Sequence, residues 1–274
     1  MAKEAPSDAS EALARYKAAQ QEVWSGFAPI AAGTTPAAAR LVSHAGVRAG
    51  QRVLDVACGT GVVAVTAARR GAHTTGLDLT PTLLEHARQN ASTAGVEIDF
   101  HEGDVEALPF EDGRFDVVLS QFGHIFAPRP GVAVGELLRV LRPGGTLAFS
   151  TWPPHLFVGR FFAVVARAMP SPPPGFSPPE LWGEPRFVRE QLGNAVTDVR
   201  FDMGRILSPA LSPQHNRVFS ERTIGPLTRA VDALAAANPA ALAALRAELD
   251  ALAAEFFEDN TIRQDYLMTR ATRR

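Results

Sequence analysis

Val53-Leu54-Asp55-Val56-Ala57-Cys58-Gly59-Thr60-Gly61 decides the fold. An apolar strand runs into a turn of small residues, and a helical pattern follows at once from Val62 to Arg70. Glycines let the backbone turn sharply and let a ligand approach where a Cβ would clash. The helix behind the turn aims its unpaired N–H groups at whatever sits there. A second strand, Thr74-Thr75-Gly76-Leu77-Asp78, ends in an acid placed to take two hydroxyls of a ribose. A glycine turn and a ribose acid together point to an adenosine-bearing cofactor.

Gly59, Gly61 and Ala64 also satisfy the dinucleotide fingerprint, a weak match when it stands alone. Three features favour S-adenosylmethionine over a nicotinamide. Asp55 lies inside the strand, where a carboxylate can hold the turn and face an ammonium but would repel a pyrophosphate. A further acid stands at the next strand end, in Phe100-His101-Glu102-Gly103-Asp104-Val105, where Asp104 can accept from an adenine amino group and the Val105 N–H can donate to the ring. With two tyrosines, Tyr16 and Tyr266, and two lysines, Lys3 and Lys17, the chain has no Tyr-x-x-x-Lys pair for common hydride-transfer chemistry.

These residues, with Gly76-Leu77-Asp78-Leu79-Thr80, Gly103 to Phe110, Phe115 to Ser120 and Leu141-Arg142-Pro143-Gly144-Gly145, resemble the class I S-adenosylmethionine-dependent methyltransferases. Among them the chain is most similar to small-molecule enzymes related to the ubiquinone and menaquinone methyltransferases. The resemblance covers about residues 40–152. It implies direct methyl transfer to a small organic acceptor. Aromatic side chains such as Trp152 and Phe157 point to an aromatic or apolar one, the charge balance argues against nucleic acid, and no apolar run approaches the length of a membrane span. Two other classes remain open from the residues: an NAD(P)-dependent oxidoreductase, and a catalytically inactive cofactor-binding protein.

The chain of 274 residues is 46% apolar with a formal net charge of −2, which suits a globular enzyme and gives no basic footprint for nucleic acid. Of 27 Lys and Arg residues only two are lysine, a bias read as that of a GC-rich bacterial genome. The single cysteine, Cys58, excludes an internal disulfide and fits a reducing cytoplasm. No Cys/His cluster has metal-ligand spacing.

Alternating strands (52–57, 73–78, 97–101, 115–120, 145–151) and helices (61–70, 81–94, 131–141) predict a doubly wound α/β fold, a parallel sheet with helices on both faces. The resemblance implies that it is a mostly parallel seven-stranded sheet, closed by two antiparallel strands. Ligands bind at the carboxyl ends of such strands. Thr80 is the expected cap of the helix opened by Pro81. Residues 1–35 read as an N-terminal helical cap (helix 9–24), with a helix over 36–46 opening a cofactor-binding core at 36–152. Residues 153–274 read as a proline-rich and helical lid plus two closing antiparallel strands (196–203 and 265–272). Within it a helix is expected over 158–169, an irregular loop to Trp182, and two helices over 223–257.

Candidate cofactor residues are Asp55, Ala57, Gly59, Thr60, Gly61, Asp78, Leu79, Gly103, Asp104, Val105, Ser120 and Gln121. His124 is the histidine nearest the predicted transfer locus and the candidate general base. The competing expectation is a packed histidine, since methyl transfer to a good nucleophile needs mainly positioning. Tyr16, Trp24, Trp152, Phe157 and Trp182 are candidate acceptor-pocket residues, with Phe27, Phe161 and Phe162 beside them. No Asn/Asp-Pro-Pro-Tyr/Phe segment follows the fourth strand, which argues against amino methylation of DNA bases.

Overall fold

The computed structural model describes residues 8–169 and 176–274. Helices α1 (Asp8–Trp24), α2 (Ala28–Ala31) and α3 (Thr35–Ala45) precede the sheet. The core then alternates β1 (Arg52–Val56), α4 (Val62–Ala68), β2 (His73–Asp78), α5 (Pro81–Thr93), β3 (Asp99–Glu102), β4 (Phe115–Gln121), α6 (Pro130–Val140) and β5 (Leu141–Thr151). Beyond it come α7 (Phe157–Arg167), α8 (Pro185–Leu192), β6 (Val196–Pro209), α9 (Pro213–Thr223), α10 (Gly225–Ala237), α11 (Pro239–Glu255), β7 (Phe257–Glu258) and β8 (Thr261–Arg273).

The strand order is β3-β2-β1-β4-β5-β8-β6. The first five strands pair in parallel, and β8 runs antiparallel to both β5 and β6. This is the expected seven-stranded path, with one addition: the two-residue β7 folds back on β8. Asp259 and Asn260 make that hairpin turn with φ of 49° and 58°, the doubly left-handed geometry that suits strand twist.

Side-chain alternation divides the strands between two cores. Leu54, Val56, Val118, Leu147 and Phe149 pack on one face. Val53, Val117, Leu119 and Ala148 pack on the other, against Leu41 and Val42 of α3 and Val63 and Ala67 of α4. Both faces are covered, so the central strands β1 and β4 and the end of β5 carry apolar runs. A third cluster joins α7, α10 and α11 through Phe161, Leu227, Leu245 and Leu249 to Ile262 of β8. The helices inserted around β6 therefore have an apolar core of their own.

Several boundaries differ from expectation. The closing strands are longer, running to Pro209 and starting at Thr261. β5 begins at Leu141 rather than 145, with a register shift opposite β4 that admits Pro143 and Gly144. Three helices lie outside the sequence expectations: the four-residue α2, α8 and α9. α8 has only Val188 and Leu192 buried, too short a stripe to show a period. α9 buries only Ser220, yet its start carries a readable signal: the Ser212 hydroxyl accepts the His215 N–H at 3.1 Å, and Pro213 follows the cap. Thr80 occupies the cap position of α5, but its side chain makes no capping bond. The start of the expected proline-rich loop, residues 170–175, lies outside the described residues. Among the described residues no helix is long and apolar enough to cross a membrane, and no cluster of His, Cys, Asp or Glu is arranged to hold a metal ion.

Candidate functional site

The site grows from the end of β1. Ala57, Gly59 and Gly61 take left-handed backbone (φ 53°, 54° and 78°), which turns the chain into α4. Gly61 caps α4; a Cβ there would press on Ala87 and Phe100 at 3.1 and 3.2 Å. Asp55 Oδ2 accepts the Ala64 N–H at 2.9 Å, so the strand holds the first turn of the helix from below. Its Oδ1 is buried without a partner.

Asp78, at the end of β2, grips the same turn. Oδ2 accepts the Gly59 N–H at 2.7 Å and Oδ1 accepts the Thr80 N–H at 2.8 Å. Burial pushes both carboxyls up, Asp55 further than Asp78, and the Asp78 charge adds to the shift of Asp55. Burial also pushes the Cys58 thiol well up, with both carboxylates adding, so it is no nucleophile at neutral pH. Two desolvated carboxylates at one glycine turn favour a ligand that brings positive charge there and oppose one that brings a pyrophosphate.

The loop after β3 adds a third acid. Asp104 Oδ1 accepts the Glu106 N–H at 2.9 Å, and its other oxygen pairs with Lys17 of α1. Lys17 also reaches Glu106 Oε2 at 2.5 Å, and Arg129 donates to the same oxygen of that fully buried carboxylate at 2.9 and 3.0 Å. Gln21 Nε2 donates to the Leu79 carbonyl at 2.7 Å. α1 is thus fastened to the ends of β2 and β3 by polar bonds.

One cavity of about 260 Å³ runs along these elements. At one end it is lined by Asp55, Ala57, Gly59, Thr60, Asp78, Leu79, Gly103, Asp104 and Val105. Gln121 also lines it, donating to the Thr34 carbonyl at 3.2 Å while its Oε1 is buried without a partner. The rest of the wall is largely aromatic and includes Tyr16, Trp24, Phe27, Trp152, Phe157, Phe161 and Phe162.

Four expected residues lie elsewhere. Gly61 only shapes the turn. The Ser120 hydroxyl is buried, donating to the Val56 carbonyl at 2.7 Å and accepting the His124 N–H at 3.2 Å, so it ties β4 to β1. His124 is fully buried outside the cavity, between Phe149 and Trp182 at ring distances of 4.6 and 4.8 Å. Neither ring nitrogen has a partner, and burial pushes its pKa down to about 3. It is a packed histidine, not a base facing the site. Trp182 is likewise a core side chain, 1% exposed, set against His124, Phe149 and Phe187 rather than a pocket wall.

The position expected of His124 belongs to Phe122. With φ of 63°, this residue turns the chain so that its ring lines the cavity and stacks on Trp152 at 3.9 Å and 15°. Backbone of this kind in a bulky residue is strained and is held only by its surroundings. The Phe122 N–H bonds the Ser150 carbonyl at 3.1 Å, and Tyr266 meets the ring edge-on at 5.4 Å. Lys17, Phe126 and the α9 residues Asn216 and Ser220 also line the cavity without having been singled out in the sequence. The pattern Tyr16, Gln20, Trp24, a single face of α1, was the available sign that this helix covers a site.

Comparison with known proteins agrees with this geometry. A family model described as a methyltransferase domain matches residues 53–145. An uncharacterised protein of Mycobacterium tuberculosis (strain H37Rv) is 36% identical over 258 residues, covering 94% of this chain and 90% of its own. The demethylmenaquinone methyltransferase of Thermus thermophilus is 44% identical over 117 residues, 42% of this chain and 53% of that protein. Among solved structures, a putative methyltransferase of Bacillus halodurans shares the fold with a TM-score of 0.58 at 21% identity, covering 86% of this chain and 97% of its own. The cofactor of this family, S-adenosylmethionine, carries an ammonium and a sulfonium, and the partnerless carboxylate oxygen of Asp55 beside a glycine turn fits such a group. The chain belongs to the class I S-adenosylmethionine-dependent methyltransferases.

Proposed function

We propose that this protein methylates a small organic acceptor whose body is aromatic or apolar. The observation that carries the reading is the continuity of one cavity from the acidic glycine turn to the aromatic wall of Phe122, Trp152, Phe157 and Phe161. When bound, S-adenosylmethionine supplies a methyl carbon to an attacking nucleophile, and the carbon–sulfur electron pair returns to sulfur.

The residues divide the work. Asp55 and the Gly59–Gly61 turn hold the amino-acid end, with Gln121 beside them. Asp78 takes the ribose, and Asp104 with the Val105 N–H takes the adenine. Phe122 and Trp152 orient the acceptor and exclude water. With no base assigned, rate comes from alignment of the acceptor with the sulfonium, a proximity effect. The cap (1–35) and the lid within 153–274 close the site over the core (36–152).

Two experiments test this. Titration calorimetry with S-adenosylhomocysteine should give micromolar binding, about −8 kcal/mol. Methyl-labelled S-adenosylmethionine should then transfer label to some member of a panel of phenols, aromatic amines and thiols. Binding without transfer to any acceptor would reduce the protein to a cofactor binder; no binding by folded protein would end the proposal.

A further inference from the structure

Three side chains break the apolar character of the acceptor end: Asn216 and Ser220 of α9, and Gln264 of β8. Asn216 and Gln264 are half-buried and Ser220 is 5% exposed. Their side-chain polar atoms have no hydrogen-bond partner among the described residues and, lining the cavity, are free to bond what enters it.

Their placement is built. Asn216 and Ser220 stand four apart, on one face of α9. The next stripe of that helix, Arg217 and Glu221, is locked to α11: Arg217 binds Asp250 at 2.8 Å and Arg246 binds Glu221 at 2.8 Å. That network fixes the rotation of α9 and turns the 216/220 stripe to the cavity. Gln264 shares its face of β8 with Tyr266, whose ring touches both Phe122 and Trp152. Gln264 thus lies on the strand face that meets the stacked aromatic pair, and Asn216 and Ser220 line the same cavity. The charged side chains lining the cavity, Lys17, Asp55, Asp78 and Asp104, belong to the cofactor end.

Resting on the methyl-transfer reading above, we propose that Asn216, Ser220 and Gln264 are the specificity residues of the acceptor pocket and select an uncharged ring bearing a hydroxyl or carbonyl group. Carboxamides and a hydroxyl donate and accept, so they match such a group in either role. They offer no counter-charge to a carboxylate or an ammonium, which would lose its hydration on entry. A site built to bond a polar group also disfavours the analogue that lacks it, because its own groups are then stranded.

The test is calorimetry on protein saturated with S-adenosylhomocysteine, with 1-naphthol, naphthalene and 1-naphthoate as probes. Naphthol should bind at least tenfold more tightly than either of the others. In the Asn216→Leu/Ser220→Ala/Gln264→Leu triple variant, naphthol and naphthalene should bind equally, with unchanged affinity for S-adenosylhomocysteine. An Asn216→Asp variant, close in size, provides a second reading should the triple variant unfold: it should admit 1-naphthylmethylammonium at least tenfold better than the parent does. Naphthoate binding best, no probe binding, or a naphthol preference that survives the substitutions would overturn the assignment. Failure of the parent to bind S-adenosylhomocysteine would instead overturn the methyl-transfer reading, and this one with it.

Discussion

Lys17 of α1 and Asp104 of the loop after β3 form an ion pair at the cofactor end of the cavity, and both side chains line it. Lys17 also meets Glu106, whose fully buried carboxylate shares one oxygen between Lys17 and Arg129. Lys17→Met leaves Glu106 with Arg129 alone and removes the charged tie of α1 to the core, leaving the bond of Gln21 to the Leu79 carbonyl. A loss of about 1–2 kcal/mol is expected in urea melts, with faster release of S-adenosylhomocysteine in stopped-flow traces. An unchanged melt and an unchanged off-rate would show that the pair fastens nothing.

Gly123 lies directly under Ala57: a Cβ there would come within 2.5 Å of the Ala57 Cβ and 2.8 Å of its carbonyl. Gly123→Ala must therefore displace the turn that holds the cofactor. It should cost about 1–3 kcal/mol and weaken S-adenosylhomocysteine binding. Gly59→Ala is the contrasting case. Nothing lies within 4 Å of its Cβ position, so only the left-handed backbone resists, at about 1–2 kcal/mol. The two variants should show similar melts but different affinities, with Gly123→Ala the weaker binder in calorimetry.

Asp78 holds two N–H groups of the loops it joins, Gly59 and Thr80, and faces the cavity with the same carboxylate. Asp78→Ala should weaken S-adenosylhomocysteine at least tenfold, about 1.4 kcal/mol. Asp78→Asn keeps an acceptor for one of the two N–H groups and should recover part of the stability but little of the affinity. Calorimetric affinity untouched by both would remove the ribose role.

Residues 52–151 were legible because the central strands β1 and β4 and the end of β5 show as apolar runs, and glycine turns and helix starts mark the positions of β2 and β3. Asp55, Asp78 and Asp104 were legible because spacing alone puts them at strand ends. The fastening of α1 was not, since Lys17 and Glu106 are far apart in the chain and only the folded sheet brings them together. The aromatic side chains show a different limit. Trp152 and Trp182 look alike in sequence, yet one lines the cavity and the other fills the core beside it. Hydrophobicity favours burial in both places and does not distinguish a wall from an interior. His124 was misplaced by a single backbone torsion, because the left-handed turn at Phe122 gives the cavity to the phenyl ring and sends the imidazole inward.

That buried imidazole has a measurable consequence. Its pKa falls from 6.5 to about 3 because no partner compensates the lost hydration of the charged form. Between those values the unfolded chain binds a proton at His124 that the folded chain refuses. The stabilising effect of the neutral ring is complete above pH 6.5 and is lost as the pH falls toward 3. From pH 7 to pH 5 the loss from this residue alone should be about 2 kcal/mol. His124→Leu removes it. The variant should lie within roughly 1 kcal/mol of the parent at pH 7 and lose about 2 kcal/mol less than the parent between pH 7 and pH 5. Urea melts at the two pH values give the comparison, and groups common to both proteins cancel in it. Equal acid sensitivity would mean that the ring is protonated or partnered in solution. A variant that binds S-adenosylhomocysteine normally but loses transfer a hundredfold, once an acceptor is in hand, would return the histidine to the chemistry.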